Sequence, residues 1–290
     1  MTLWRRKAGV RIAAACLALA AGLPVSAGAA APRRVVSFNI CADQLVVALA
    51  DPQQIAGLSP YATDPRLSVV AVEARKFRRL EWQAESVLPL EPDLVLVGPW
   101  DRPVTRQLLS SLGVPVVDIA LVDDLDAARA QIREVAALLG HPDRGEALVG
   151  RLDRARARLA ALRRPAFSTA LVVERGGFTA GTASLAAAVL AEAGLHPPPG
   201  SPGGNGGYVS LERLLLLDPD LMFFKDPPSE TEDQGALLFT HPALKALYPQ
   251  QRRIALPTRY TLCGGPAAVA ALEYLGGVMA ALPDQPAPRR

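Results

Sequence analysis

Histidine, methionine and cysteine occur three times each in the 290 residues, and aromatic side chains make up only 5%. So few imidazoles leave little from which to build a site for bare zinc or manganese, which needs imidazole and carboxylate ligands from more than one element. His141, His196 and His241 fall at the start of a helical segment, before a proline-rich stretch and at another helix start, and none follows a strand of the amino-terminal half. There is no Gly-x-Ser-x-Gly elbow, no His-Glu-x-x-His, no Cys-x-x-Cys and no dinucleotide fingerprint, which removes the common signatures of hydrolytic, metalloprotease, redox and nucleotide-binding enzymes. An exported enzyme with dispersed catalytic groups, or a ligand sensor, stays open as an alternative. The stretch from Pro197 to Gly207 is rich in glycine, but no Lys-Ser/Thr follows it, so a phosphate-binding loop is not expected; its breakers predict a surface loop.

Charge of one sign is also missing. The formal net charge is +3, and removing the four cations Arg5, Arg6, Lys7 and Arg11 of the first segment leaves −1. A nearly neutral chain gives no reason to expect nucleic acid. Those four cations precede an apolar run from Ile12 to Leu23 and the small residues Val25 to Ala30. That order predicts a secretory signal peptide over residues 1–29, cleaved after Ala27 or Ala29. The run is about a dozen residues long, short of the roughly 20 that span a bilayer. Cys16 lies inside it, too early for a lipid-attachment cysteine. A periplasmic protein with no membrane insertion after leader cleavage is expected.

In the remaining chain, short β-branched runs alternate with helical patterns, which predicts βα units around mainly parallel sheets. The runs are Arg34 to Phe38, Leu94 to Val97, Pro115 to Ile119, Thr169 to Val173, Leu221 to Phe224 and Arg253 to Leu256, three in each half. Between the halves, Leu148, Leu152, Ala155, Leu159 and Leu162 form one apolar stripe after Pro142, the pattern of an amphipathic helix. From Pro142 to Arg163 it would run about 33 Å at 1.5 Å per residue, with Pro165 as its stop. An internal echo is more specific. Glu85-Ser86-Val87-Leu88-Pro89-Leu90-Glu91-Pro92-Asp93-Leu94-Val95 recurs as Glu212-Arg213-Leu214-Leu215-Leu216-Leu217-Asp218-Pro219-Asp220-Leu221-Met222. Each copy reads as a short helix ended by an acidic-Pro-Asp turn that feeds a buried strand. The expected fold is α/β: two similar lobes with mainly parallel sheets, at 33–140 and 165–283, joined by one long backbone helix over 141–164, with a ligand cleft between the lobes and a tail over 284–290.

With Val35-Val36-Ser37 in the first strand, the turn Gly57-Leu58-Ser59-Pro60-Tyr61, both Glu-Pro-Asp units and the long spine in this order, the chain resembles the helical-backbone (class III) periplasmic binding proteins for iron-siderophores, haem and cobalamin. The resemblance covers essentially the whole chain after the leader. It implies a substrate-binding protein of an ABC importer with no intrinsic cofactor. The ligand would be a small metal chelate containing iron or cobalt, and the partner a homodimeric permease in the inner membrane.

In parallel α/β sheets ligands bind beyond the carboxyl ends of the strands. The candidates at those ends are Tyr61, Trp100, Phe178, Tyr208 and Tyr260 as apolar platforms and Arg102, Arg175 and Arg259 as anion clamps. Members that bind cobalamin are similar in placing cleft aromatics in the segments matching Tyr61, Trp100, Phe178 and Tyr208, while siderophore binders commonly use such arginines. Siderophore and corrinoid therefore stay unranked. Cys41 and Cys263 each follow a strand. They can be small structural residues, a disulfide permitted by an oxidising compartment, or weak ligand or metal contacts. Free thiols are expected, on the argument that a lobe-to-lobe bridge would pin the cleft. Glu85 and Glu212 occupy the same place in the two echoing units. The resemblance implies that they dock onto arginines of the two permease subunits; the alternative is that each stabilises a helix amino terminus.

Overall fold

A computed structural model describes residues 30–99, 103–226 and 234–285. All six β-branched runs form strands, and three further strands join them. The first sheet contains β1 (Val35–Ser37), β2 (Ile55–Gly57), β3 (Leu94–Val97) and β4 (Val116–Asp118) in the order β2-β1-β3-β4, with every pairing parallel. The second contains β5 (Ala170–Val173), β6 (Phe178–Ala180), β7 (Gly206–Tyr208), β8 (Leu221–Lys225) and β9 (Arg253–Leu256) in the order β7-β6-β5-β8-β9, in which β6 runs antiparallel to both of its neighbours, β5 and β7. Every residue of β1, β3 and β5 is buried, as expected for strands covered on both faces.

The helices of the first half are α1 (Ile40–Leu49), α2 (Ala71–Ala74), α3 (Pro103–Ser111), α4 (Leu125–Leu138) and α5 (Pro142–Ala160). Those of the second are α6 (Leu185–Glu192), α7 (Leu211–Leu217), α8 (Gln234–Thr240), α9 (Pro242–Leu247), α10 (Thr258–Thr261) and α11 (Pro266–Ala281). Alternate strand residues face different cores. Val36, Val95 and Val97 pack into a cluster outside the first sheet, and Leu171, Val173, Met222 and Phe224 into one outside the second. Val35, Leu94, Leu96, Val172, Leu221 and Phe223 point instead into one continuous core shared with α1, α4, α5, α6 and α11. The two lobes therefore have a common interior.

The spine α5 ends at Ala160, three residues before the expected Arg163. Leu148, Leu152, Ala155 and Leu159 are buried, whereas Leu162 lies past the last turn and is exposed, because the chain must leave the helical region before Pro165. Each buried leucine of the stripe contributes about 1.5–3 kcal/mol. The flanking ion pairs Arg133–Glu146 (2.6 Å) and Arg129–Asp153 (3.2 Å) are half-exposed and contribute at most about 1 kcal/mol each. Packing against α4 and α11, rather than charge, holds the spine. At Gly145 a Cβ would stand 2.5 Å from that of Ala136, so the α4–α5 contact depends on its absence.

The echoing segments are echoes in backbone geometry too. Glu91 (φ 45°) and Asp218 (φ 38°) are both left-handed, each directly before a proline. The aspartate that follows plays one role in both lobes. Asp93 accepts hydrogen bonds from the backbone N–H groups of Arg33 (2.7 Å) and Arg34 (2.9 Å). Asp220 accepts from those of Ser168 and Thr169 (both 2.9 Å) and from the Thr169 hydroxyl. Each carboxylate thus clamps the entry of the neighbouring parallel strand, β1 or β5. The first copy differs from expectation: Pro89 has no N–H to continue an α-helix, so the segment forms two 3₁₀ turns, Ala84–Ser86 and Leu88–Leu90. The second copy is the α-helix α7.

A third carboxylate is fully buried. Asp43, in the first turn of α1, accepts hydrogen bonds from the Ser59 backbone N–H (3.0 Å) and the Ser59 hydroxyl (2.5 Å). Burial pushes its pKa up to about 7, against the opposing pull of the Ser59 and Ser37 hydroxyls. The native state therefore binds a proton more tightly than the unfolded chain, and Asp43 lowers stability as pH rises from about 4 to about 7. Asp51, Asp64, Asp126 and Glu146 shift the other way through arginine partners, so their support fades only in more acidic solution. Asp43→Asn, which retains an acceptor, is expected to flatten the fall in melting temperature between pH 4 and 7. An unchanged slope in thermal melts would assign that fall elsewhere.

Candidate functional site

The carboxyl ends of the strands carry the candidate residues in both lobes. After β1, Asn39 caps α1 by accepting from the N–H groups of Cys41 (2.8 Å) and Ala42 (3.2 Å), which seats Phe38 at the end of the strand. Tyr61 follows β2 and is 47% exposed. A residue not singled out from sequence joins it. A parallel bridge between Leu58 and Arg79 carries the following segment alongside β2 and brings Trp82 between Phe38 (centroids 6.3 Å) and edge-on to Tyr61 (5.2 Å). The charged run Arg75 to Arg79 hid this placement; the alternation of Leu80 and Trp82 just ahead of Glu85 was the available signal. Trp100 and Arg102 lie outside the described residues.

In the second lobe Arg175 is exposed on the turn after β5. The register of the antiparallel strands sets Phe178 opposite Tyr208, with their rings edge-to-face at 5.5 Å and Tyr208 80% exposed. The expected loop Pro197 to Gly207 is shorter than predicted, because Gly206 and Gly207 begin β7. Glycine is required here for contact: a Cβ on Gly206 would meet the Thr179 carbonyl at 2.3 Å, and one on Gly181 the Gly204 carbonyl at 2.2 Å. That close approach holds Phe178 and Tyr208 together. Tyr260 stacks on Tyr274 (4.9 Å), and the Arg259 guanidinium lies 4.9 Å over the Tyr260 ring. Arg259 also donates to the Pro65 carbonyl (3.0 Å), reaching from α10 to the loop after Tyr61.

Cys41 and Cys263 are not free thiols but a disulfide, with Cα atoms 5.2 Å apart, which corrects the expectation from sequence. The objection to a bridge assumed lobes that swing. Cys263 instead stands at the head of α11, which packs against α1 as well as α5 and α6, so the bond joins elements already in contact. A bridged pair also offers no thiolate for metal. Among the described residues no three His, Cys, Asp or Glu side chains come together as a metal site, and no helix is long and apolar enough to cross a membrane. A thiol count on the denatured, unreduced protein without residues 1–29 is expected to find none. Cys41→Ser with Cys263→Ser is expected to lower unfolding stability by about 2–5 kcal/mol, read from denaturant midpoints.

Glu85 and Glu212 are both exposed. Glu85 follows Trp82 by three residues and Glu212 follows Tyr208 by four, so each stands at the start of its unit, close in sequence to an aromatic pair. Hydrogen bonds from its own backbone N–H and from the Ser210 hydroxyl hold the Glu212 carboxyl below its ordinary pKa. The histidines act locally: His141 Nε2 contacts Gln54 Oε1 (2.7 Å), the His196 backbone pairs with Ser168 and Ala170, and His241 caps α9.

The family model described as periplasmic binding protein matches residues 35–247. The chain belongs to that family. No curated protein sequence matches it significantly. Among solved structures, the periplasmic haem-binding protein RhuT from Roseiflexus sp. RS-1, in apo form, is 26% identical with a TM-score of 0.68, covering 85% of this chain and 97% of that one. The periplasmic vitamin B12 binding protein BtuF of Vibrio cholerae shares the fold at 18% identity and a TM-score of 0.63, over 86% and 97%. So does an ABC-type Fe3+-hydroxamate transport system from Saccharomonospora viridis, at 20% and 0.64, over 87% and 94%. The aromatic pairs on the two lobes, Tyr61 with Trp82 and Phe178 with Tyr208, are the candidate ligand platforms. Replacing Trp82 or Tyr208 by Ala is expected to weaken ligand binding by about 1–3 kcal/mol with little change in melting temperature. Isothermal titration with unaltered affinity in both variants would remove the platforms.

Proposed function

We propose that this periplasmic binding protein captures a metal chelate with a flat apolar body and a polar rim, a corrinoid or a porphyrin, and delivers it to an ABC permease. The observation that carries the reading is the pairing of Tyr61 with Trp82 on one lobe and of Phe178 with Tyr208 on the other, in a chain with 5% aromatics. Aromatic faces on both sides suit a planar macrocycle, which presents two broad apolar surfaces. A ferric siderophore would be held through anion clamps, and Arg259 is already engaged by Pro65 and Tyr260. The likeness to a haem-binding protein at 26% identity supports the same direction. Iron or cobalt would arrive with the ligand as cargo.

Delivery follows from the repeated unit. Glu85 and Glu212 stand at corresponding places on the two lobes, and a homodimeric permease presents the same patch twice, so the two carboxylates would meet an arginine on each subunit. The leader over residues 1–29 would bring the protein to the periplasm. A sensor with the same fold would bind ligand without needing these glutamates. Visible-absorption titration with haem, cobalamin and a ferric hydroxamate is expected to give saturable shifts for a macrocycle and none for the hydroxamate; the reverse would overturn the ligand class. Glu85→Ala with Glu212→Ala is expected to keep ligand affinity and melting temperature while abolishing uptake. Full uptake by that double variant would remove the docking role.

A further inference from the structure

Beside Glu85 lies a groove of about 410 Å³, with Trp82, Ala84 and Glu85 on one wall and Val104, Thr105 and Leu108 of α3 on the other. Glu85 is the only charged residue among those described in its lining. Helix α3 turns Leu109, fully buried, toward the core, yet Val104 is 80% and Leu108 41% exposed. Residues four apart share one face of a helix, so α3 carries a second apolar line directed at solvent, next to an exposed carboxylate. Its cation, Arg106, is paired with Asp118 of β4 and does not neutralise Glu85. The other lobe repeats the pairing: Leu216, one turn after Glu212 on α7, is 78% exposed.

We infer that each docking carboxylate is one half of a two-part site, and that the partner is a permease loop bearing an apolar side chain beside its arginine. In the first lobe that side chain enters the groove between Trp82 and α3; in the second it covers Leu216. This rests on the docking reading above and adds to it the source of affinity. Exposed ion pairs alone contribute little, whereas an apolar side chain enclosed beside a charge pair has the composition of an interface hot spot with its surrounding seal. A second copy of this chain is a poorer occupant, since a two-fold contact would bring Glu85 toward an identical acidic rim.

The test compares the leaderless protein carrying Val104→Gln and Leu108→Gln, and separately Leu216→Gln, with Glu85→Ala/Glu212→Ala, for association with the cognate permease complex in nanodiscs. Both apolar variants are expected to keep the melting temperature and the ligand absorption titration of the parent and to bind the permease roughly tenfold more weakly. If they bind as the parent does while the glutamate variant fails, the groove inference is overturned and docking through the carboxylates stands. Should no variant weaken association, both readings fall together. Loss of ligand affinity in Val104→Gln/Leu108→Gln, or conversion of a parental dimer to monomer in sedimentation, would reassign the groove to the ligand platform or to self-association and likewise overturn it.

Discussion

Each lobe is anchored by one carboxylate at the foot of its sheet. Parallel strands leave their first N–H groups without partners from their own chain segment, and Asp93 and Asp220 satisfy them for β1 and β5. Because the same aspartates introduce the adjacent strands β3 and β8, one side chain sets the relative height of two central strands. The left-handed residue and proline before each aspartate fix the turn from which it reaches. With the foot fixed, everything at the opposite end of the sheet is placed by counting residues upward.

That counting explains the arrangement at the cleft. The unit before each clamp runs back from the cleft edge to the foot, so its first residues lie near Trp82 in one lobe and Tyr208 in the other. Aromatic pair and exposed glutamate are thereby neighbours along the chain in both lobes, although the first unit is built from 3₁₀ turns and the second from an α-helix. The common core formed by α1, α4, α5, α6 and α11 joins the two lobes that carry these aromatic pairs.

The features legible in the sequence are those whose chemistry is local. Six strands announced themselves as β-branched runs, the spine as a stripe with a four-three spacing, and the duplicated acidic-Pro-Asp turn as a repeated order of residue types. What escaped depends on contacts between distant segments. Strands β2, β6 and β7 are three residues each and contain alanine, threonine and glycine, so no run marks them. Trp82 reaches its place only through the bridge from Leu58 to Arg79. The disulfide was misjudged because nothing local shows that α11 returns to the first helix. Tyr61, Arg175, Arg259 and Tyr260 follow strands β2, β5 and β9, whereas Phe178 and Tyr208 lie in β6 and β7, which no run marked.

The bond between Cys41 and Cys263 spans 222 residues of sequence, and this has a consequence for biogenesis. Cys41 belongs to the first of the described helices and Cys263 stands just before the last, so a chain made amino terminus first presents one thiol long before the other. Oxidation has to wait for nearly the whole polypeptide to emerge. The closing of this bond is a covalent record that both ends of the molecule have arrived and met.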